Sequence, residues 1–275
     1  MPALANFLLS CITITLAQAP AEPANRNLHF RESFENTDLL DRGFYDGKGR
    51  FTLDDDAAEG KKSLRYRFEA GQILPADSEG VRRKFEPVES VYVSFRMKLS
   101  SNWKWTGRPY GPHFIYFMTN ENGRFHGPAA SRLTVYVEPV NGRLRLAAQD
   151  IQNKDAPNGL TQGPLKGGYN GKFYDSEEIL FDDGKWHFVE AVFRLNTLDE
   201  TADKPNRDGI ARGWVDGKLV VDRTDVIFRS TDFPKMKFDQ FLMAPYFHHG
   251  VPHEQTLLID DLAVGTDRPE SISSR

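Results

Sequence analysis

Cysteine is almost absent: the 275 residues hold one, Cys11, so no internal disulfide can form and a packed core has to supply the stability. An excess of positive charge is absent too. The formal net charge is −4, which argues against a general nucleic-acid binder. Beyond the opening segment no apolar run is long enough to span a membrane. Helical periodicity is missing over any three turns, and no His-Glu-x-x-His sequence offers a catalytic zinc site. What is present is a globular composition, 39% hydrophobic and 12% aromatic, in a chain long enough for one large domain.

The chain opens on "MPALANFLLSCITITLAQAPAEPANRN", an apolar run from Phe7 to Ala17 leading into small residues. This resembles a secretory signal with its cleavage site at Ala17-Gln18-Ala19. The expectation is an export segment over residues 1–24, a single domain over 25–275, and a secreted or periplasmic protein with no membrane contact beyond the signal. A retained N-terminal anchor is the alternative. A lipoprotein reading of "LLSC" is disfavoured because the apolar run continues past Cys11.

From Leu28 onward the pattern has a period of two. "SVYVSFRMKL", "HFIYFMT", "SRLTVYVEP", "GRLRLAAQD", "KWHFVEAVFRLN", "IARGWVDGKLVVD", "FDQFLMAPYF" and "QTLLIDDLAVG" all read as strands. Asn-Gly in "VNGR" and Asp-Gly in "VDGK" tolerate the positive φ of a type I′ turn and predict two hairpins. Many antiparallel strands at this length predict an all-β fold, a two-sheet antiparallel β-sandwich or jelly roll. Residues 150–180, rich in Gly, Asn and Gln, read as a long loop.

Alternation sorts each strand into two faces. Leu133, Val135 and Val137 oppose Arg132, Thr134, Tyr136 and Glu138; Leu144 and Leu146 oppose Arg143, Arg145 and Gln149. Val189, Ala191, Phe193 and Leu195 oppose Glu190, Arg194 and Asn196, and the hairpin "DGIARGWVDGKLVVDR" puts Arg212, Trp214 and Asp216 on one side. Lys and Glu dominate a merely solvated face, whereas Arg, Tyr, Trp, Gln and Asn stack on sugar rings and hydrogen-bond hydroxyls and carboxylates. Arg132, Arg145, Gln149, Glu190, Arg194, Asn196, Arg212 and Trp214 are therefore the expected sugar contacts. Between Arg96 and Gln149 the bases Arg96, Lys98, Lys104, Arg108, Arg124, Arg132, Arg143 and Arg145 face only Glu121 and Glu138. If they share a groove, the partner is an acidic, uronate-containing polysaccharide or oligosaccharide.

The order "KWHFVEAVFRLN", "DGIARGWVDGKLVVDR", "FDQFLMAPYFHHG" and "LLIDDLAVGTDRP" resembles the concanavalin A-like lectin/glucanase jelly rolls, and within them the bacterial polysaccharide-lyase-like branch of alginate, heparin and glucuronan lyase type. The Glu-x-Asp-x-x-Glu strand of the retaining glucanases in that fold is absent, as are the Arg-rich, Gln-x-His and Tyr-x-Lys motifs of the best-known alginate lyases. The resemblance implies a monomeric lyase cleaving an acidic polysaccharide by β-elimination. A lectin-like binding module of the same fold stays open beside it, and a glycoside hydrolase using paired carboxylates such as Glu138 and Glu190 is the third reading.

Elimination from a uronate needs a group that neutralises the carboxylate, a base for the C5 proton and an acid for the leaving oxygen. Arg132, Gln149 or Arg194 suits the first, His113 or His248 the second, Tyr136 or Tyr246 the third. On an unbulged strand His113 and Tyr116 would face opposite ways. No cofactor is needed for catalysis. The resemblance also implies a structural calcium where first and last strands meet, with Glu35, Asp260 and Asp261 as ligands and Glu32 nearby.

Overall fold

The computed structural model describes residues 27–108, 113–120, 133–150, 171–181 and 184–269; the expected export segment lies outside them. The strands in chain order begin with β1 (Leu28–Glu32), β2 (Thr52–Asp54), β3 (Ser63–Phe68), β4 (Val81–Val88), β5 (Ser90–Leu99) and β6 (His113–Thr119). Next come β7 (Leu133–Val140), β8 (Arg143–Asp150), β9 (Gly171–Asp175), β10 (Trp186–Arg194), β11 (Leu198–Asp199) and β12 (Lys204–Pro205). The last are β13 (Gly209–Val215), β14 (Lys218–Val226), β15 (Phe238–Tyr246) and β16 (Gln255–Gly265).

These strands make the expected two-sheet antiparallel sandwich. The larger sheet runs β14-β13-β10-β5-β16-β3-β2, with β1 also paired to β16, and the smaller runs β4-β15-β6-β7-β8-β9. A β11-β12 ribbon stands apart. One continuous core fills the space between the sheets. Phenylalanine dominates it, and its rings cross the gap edge-on: Phe95 of β5 meets Phe114 of β6 with centroids 5.5 Å apart, and Phe30 of β1 meets Phe241 of β15 at 5.5 Å. Such pairs add about 0.5–1.5 kcal/mol each to what burial of the rings supplies. Where β13 crosses β8 the two sheets pack tightly, and a Cβ on Gly213 would lie 2.7 Å from Leu144 Cδ2.

Both predicted hairpins form with the expected turn. Asn141 and Gly142 take φ of 49° and 78°, Asp216 and Gly217 take 51° and 80°, the doubly positive pattern of type I′. Strands β1 to β4, β9, β11 and β12 add to those that the alternation marks. Both β4 and β9 are edges of the smaller sheet. Charge, and the proline at position 87, are tolerated there because an edge leaves one row of backbone groups unpaired. The predicted loop over 150–180 is thus shorter than expected, since Gly171–Asp175 pairs with β8 and residues 151–170 lie outside the described residues.

Candidate active site on the six-stranded sheet

The smaller sheet has a second, separate cluster on the face turned away from the core. Tyr116, Met118, Tyr136, Ala147 and Leu242 are buried there, with Ala244 and Tyr246 packed against them. Strand register explains the grouping: Leu242 pairs with Tyr116, Tyr116 with Tyr136, and Tyr136 with Ala147, so one rung crosses β15, β6, β7 and β8. The next rung toward the β7-β8 turn carries Glu138 and Arg145, which are direct partners.

His113 joins this face through an irregularity. The β15-β6 ladder slips between Met243 and Tyr246, so that Tyr246 pairs with His113 while Met243 pairs with Ile115. Phe114 and Ile115 both enter the core, so the regular alternation of β6 is broken at that point. The opposite facing expected of an unbulged strand does not hold at this irregularity: the His113 and Tyr116 rings lie on one face with centroids 6.2 Å apart. His113 also stands 4.7 Å from Tyr246, 5.2 Å from Tyr136 and 5.6 Å from His248. Its Nδ1 bonds the carboxylate of Glu138, a residue that is 1% exposed.

Two further contacts link side chains of the cluster. The Tyr136 hydroxyl donates to Gln149 Oε1. That leaves the Gln149 amide hydrogens to meet an incoming acceptor. The Tyr246 hydroxyl lies 3.4 Å from His248 Nε2. Burial, reinforced by the charges of His113 and His249, pushes the His248 pKa below the ordinary histidine range, so its ring is neutral near pH 7 and able to accept a proton. Burial pushes the Tyr116 phenol far up, and its hydroxyl donates to the Ala244 carbonyl at 3.3 Å. Tyr116 is therefore a fixed neutral wall beneath the others.

The turn after β15 fixes His248. His249 and Gly250 adopt φ of 69° and 80°, and the segment 247–251 is tied to 71–73 by backbone bonds from Phe247 N to Ile73 O (2.9 Å), Gly71 N to Val251 O (2.8 Å) and Val251 N to Gln72 O (3.0 Å). A Cβ at Gly250 would fall 2.2 Å from the Gly71 carbonyl oxygen, so only glycine fits that seam.

His113, Tyr136, Tyr246, His248 and Gln149 are thus brought together. Arg145 shares their face, where its Nε and Nη2 meet Asp175 at 2.6 and 2.8 Å and its guanidinium lies 4.5 Å from the Phe173 ring. Arg132 and Arg124 lie outside the described residues.

The remaining predicted sugar contacts sit elsewhere. Glu190, Arg194, Arg212 and Trp214 belong to β10 and β13 of the other sheet, where the core residues Val189, Ala191 and Phe193 point inward and these point out. Glu190 is fully buried beneath a bidentate pair with Arg268 (2.9 and 2.9 Å), a bond from Tyr92 (3.0 Å) and the Trp214 ring, 4.7 Å from the Arg268 guanidinium. Arg212 bonds Asp222 across the hairpin at 2.6 Å, and Arg194 reaches the Asp208 carbonyl at 3.3 Å. Asn196, also fully buried, accepts from the amides of Phe228 and Arg229 and donates to the Arg229 carbonyl, which makes it a backbone clamp. Nor does the basic stretch form one groove: Arg96 and Lys98 pair with Glu59 and Asp56 on the larger sheet, while Arg143 bonds the carbonyls of Ser176 and Glu177.

The carboxylates expected for calcium do not fit that role. Glu35 Oε1 accepts the amides of Lys61 and Lys62, Asp260 accepts those of Ala58, Glu59 and Asp261, and Glu32 pairs with Arg42. Asp261 sits on a bulge with φ of 44°. No set of three or more His, Cys, Asp or Glu side chains gathers for a metal among the described residues.

No family model matches the chain, and no curated protein is similar to it in sequence. Its structure is similar to a PL-14 alginate lyase from Aplysia kurodai, with a TM-score of 0.58 at 13% identity, over 87% of this chain and 99% of that one. An alginate lyase from Chlorella virus gives 0.57 at 13% identity, over 86% and 100%. A third, solved as a double mutant with an alginate tetrasaccharide, gives 0.54 at 16% identity, over 82% and 86%. What the chain shares with these alginate lyases is the fold, a two-sheet jelly roll.

Proposed function

We propose that the chain is an exported polysaccharide lyase that cleaves a uronate-containing polysaccharide by β-elimination. One observation carries the reading: a base, two phenols, a second histidine and a carboxamide meet at one end of the outer face of the smaller sheet. The likeness in fold to lyases solved with alginate oligosaccharides supports the substrate class.

In this reading the Gln149 amide donates to the uronate carboxylate and stabilises charge developing on it. His113 Nε2 takes the C5 proton. The C4–O bond breaks as a C4–C5 double bond forms, and the Tyr246 hydroxyl gives its proton to the leaving oxygen. Exchange with solvent resets both groups, with neutral His248 beside Tyr246 as the local acceptor and donor. Tyr136 is the anchor of Gln149 and not the acid, because its own proton is already committed.

The test is absorbance of the unsaturated uronate end on alginate, glucuronan, pectate, hyaluronan and heparin. Activity on one polymer, reduced about 10²- to 10⁴-fold by Tyr246→Phe with little change in KM, is the expected result. A flat trace on all five, with retention on a gel of one polymer, would replace the lyase by a lectin-like binding module.

A further inference from the structure

The Glu138 carboxylate has no assigned part in the chemistry above. It is 1% exposed, beside the buried cluster of Tyr116, Met118, Tyr136, Ala147 and Leu242. Enclosing a carboxylate is costly unless it is paired, and an apolar residue would fill a strand position of this kind more cheaply. The fork of its cross-strand neighbour Arg145 is directed at Asp175. The contact that Glu138 makes toward the site is with His113 Nδ1.

From this geometry we infer that Glu138 is a positioning residue for His113, an inference that rests on the lyase reading for its catalytic consequence. An ionised carboxylate can only accept, so the imidazole must present Nδ1–H to it. The neutral ring then carries its one proton on Nδ1 and its lone pair on Nε2, the nitrogen required as base. The bond also fixes the plane of the ring against Tyr246 and Tyr136, 4.7 and 5.2 Å away. Once Nε2 has taken the C5 proton, the buried negative charge stands beside the imidazolium so formed. Glu138 does not touch the sugar in this scheme; it acts through the ring.

Two substitutions separate this role from simple packing. Glu138→Gln keeps an acceptor oxygen of the same shape and removes the charge, while Glu138→Leu removes the acceptor. Nitrogen-15 NMR of the His113 ring in the substrate-free protein, assigned with His113→Ala, reads the tautomer directly and needs no activity. The expected spectrum has the proton on Nδ1 in the wild type and in Glu138→Gln, and predominantly on Nε2 in Glu138→Leu. Turnover is expected to fall about 10²- to 10⁴-fold in Glu138→Leu at nearly constant KM, with Glu138→Gln between it and the wild type. Should Glu138→Leu fail to fold, the wild-type and Glu138→Gln spectra still decide the matter. A wild-type ring protonated on Nε2, or a Glu138→Leu ring unchanged from the wild type, overturns the inference. Wild-type inactivity on every uronate polymer, with the expected tautomers observed, instead sinks the lyase reading and leaves the Glu138–His113 coupling standing.

Discussion

Replacing Arg268 by alanine tests whether the tryptophan hairpin is structural. The Glu190 carboxylate is fully buried and receives two bonds from Arg268 and one from Tyr92. Burial holds the Tyr92 phenol above its ordinary range, so it stays a donor. Without Arg268 a buried charge keeps one neutral partner. Breaking such a pair costs about 3–5 kcal/mol. Because the Arg268 side chain is 27% exposed, water reaches part of the vacated space and the lower end, about 3 kcal/mol, is expected. In a domain of this size that is a fall in Tm of roughly 6–12 °C. The double variant Glu190→Leu with Arg268→Met removes both charges and is expected within about 1 kcal/mol of the wild type or above it. Scanning calorimetry reads both, and affinity gels of the acidic polymers should retain Arg268→Ala as they do the wild type. An unchanged Tm together with lost polymer retention would refute the argument and return Glu190 and Trp214 to the sugar site.

Three other outcomes follow from the same geometry. Gly213→Ala drives a methyl into Leu144 of the facing sheet and should cost about 1–3 kcal/mol by urea unfolding; an unchanged midpoint would mean the sheets part freely. His29 is stacked on Phe85 at 4.6 Å, and burial lowers its pKa. The stability it contributes is present above about pH 6.5 and is lost as pH falls through the lowered folded value, so His29→Phe should lose less Tm than the wild type between about pH 7 and 5. The lowered pKa of His248 places its protonation below about pH 6.5, and His248→Gln should change the shape of the acid limb of kcat, leaving only the part set by the base, at reduced kcat. An acid limb unaltered by the substitution would assign it to another group.

By itself the sequence determined the alternation of each strand, the two I′ turns and hence the sandwich, because a period of two and a positive-φ dipeptide are local properties of the chain. It also named His113, Tyr136, Tyr246, His248 and Gln149, whose residue types suit proton transfer and carboxylate recognition. Only the tertiary structure decided that they meet. Alternation separates inside from outside on one strand but carries no record of which sheet the strand joins. The polar faces of β7 and β8 and those of β10 and β13 therefore look alike in sequence, yet lie on opposite sides of the sandwich. The slip between Met243 and Tyr246 is equally invisible, since it arises from pairing β15 with a strand more than a hundred residues away. That slip sets Tyr246 opposite His113, whose ring bonds Glu138, and a non-local hydrogen-bond register is what brings these side chains together.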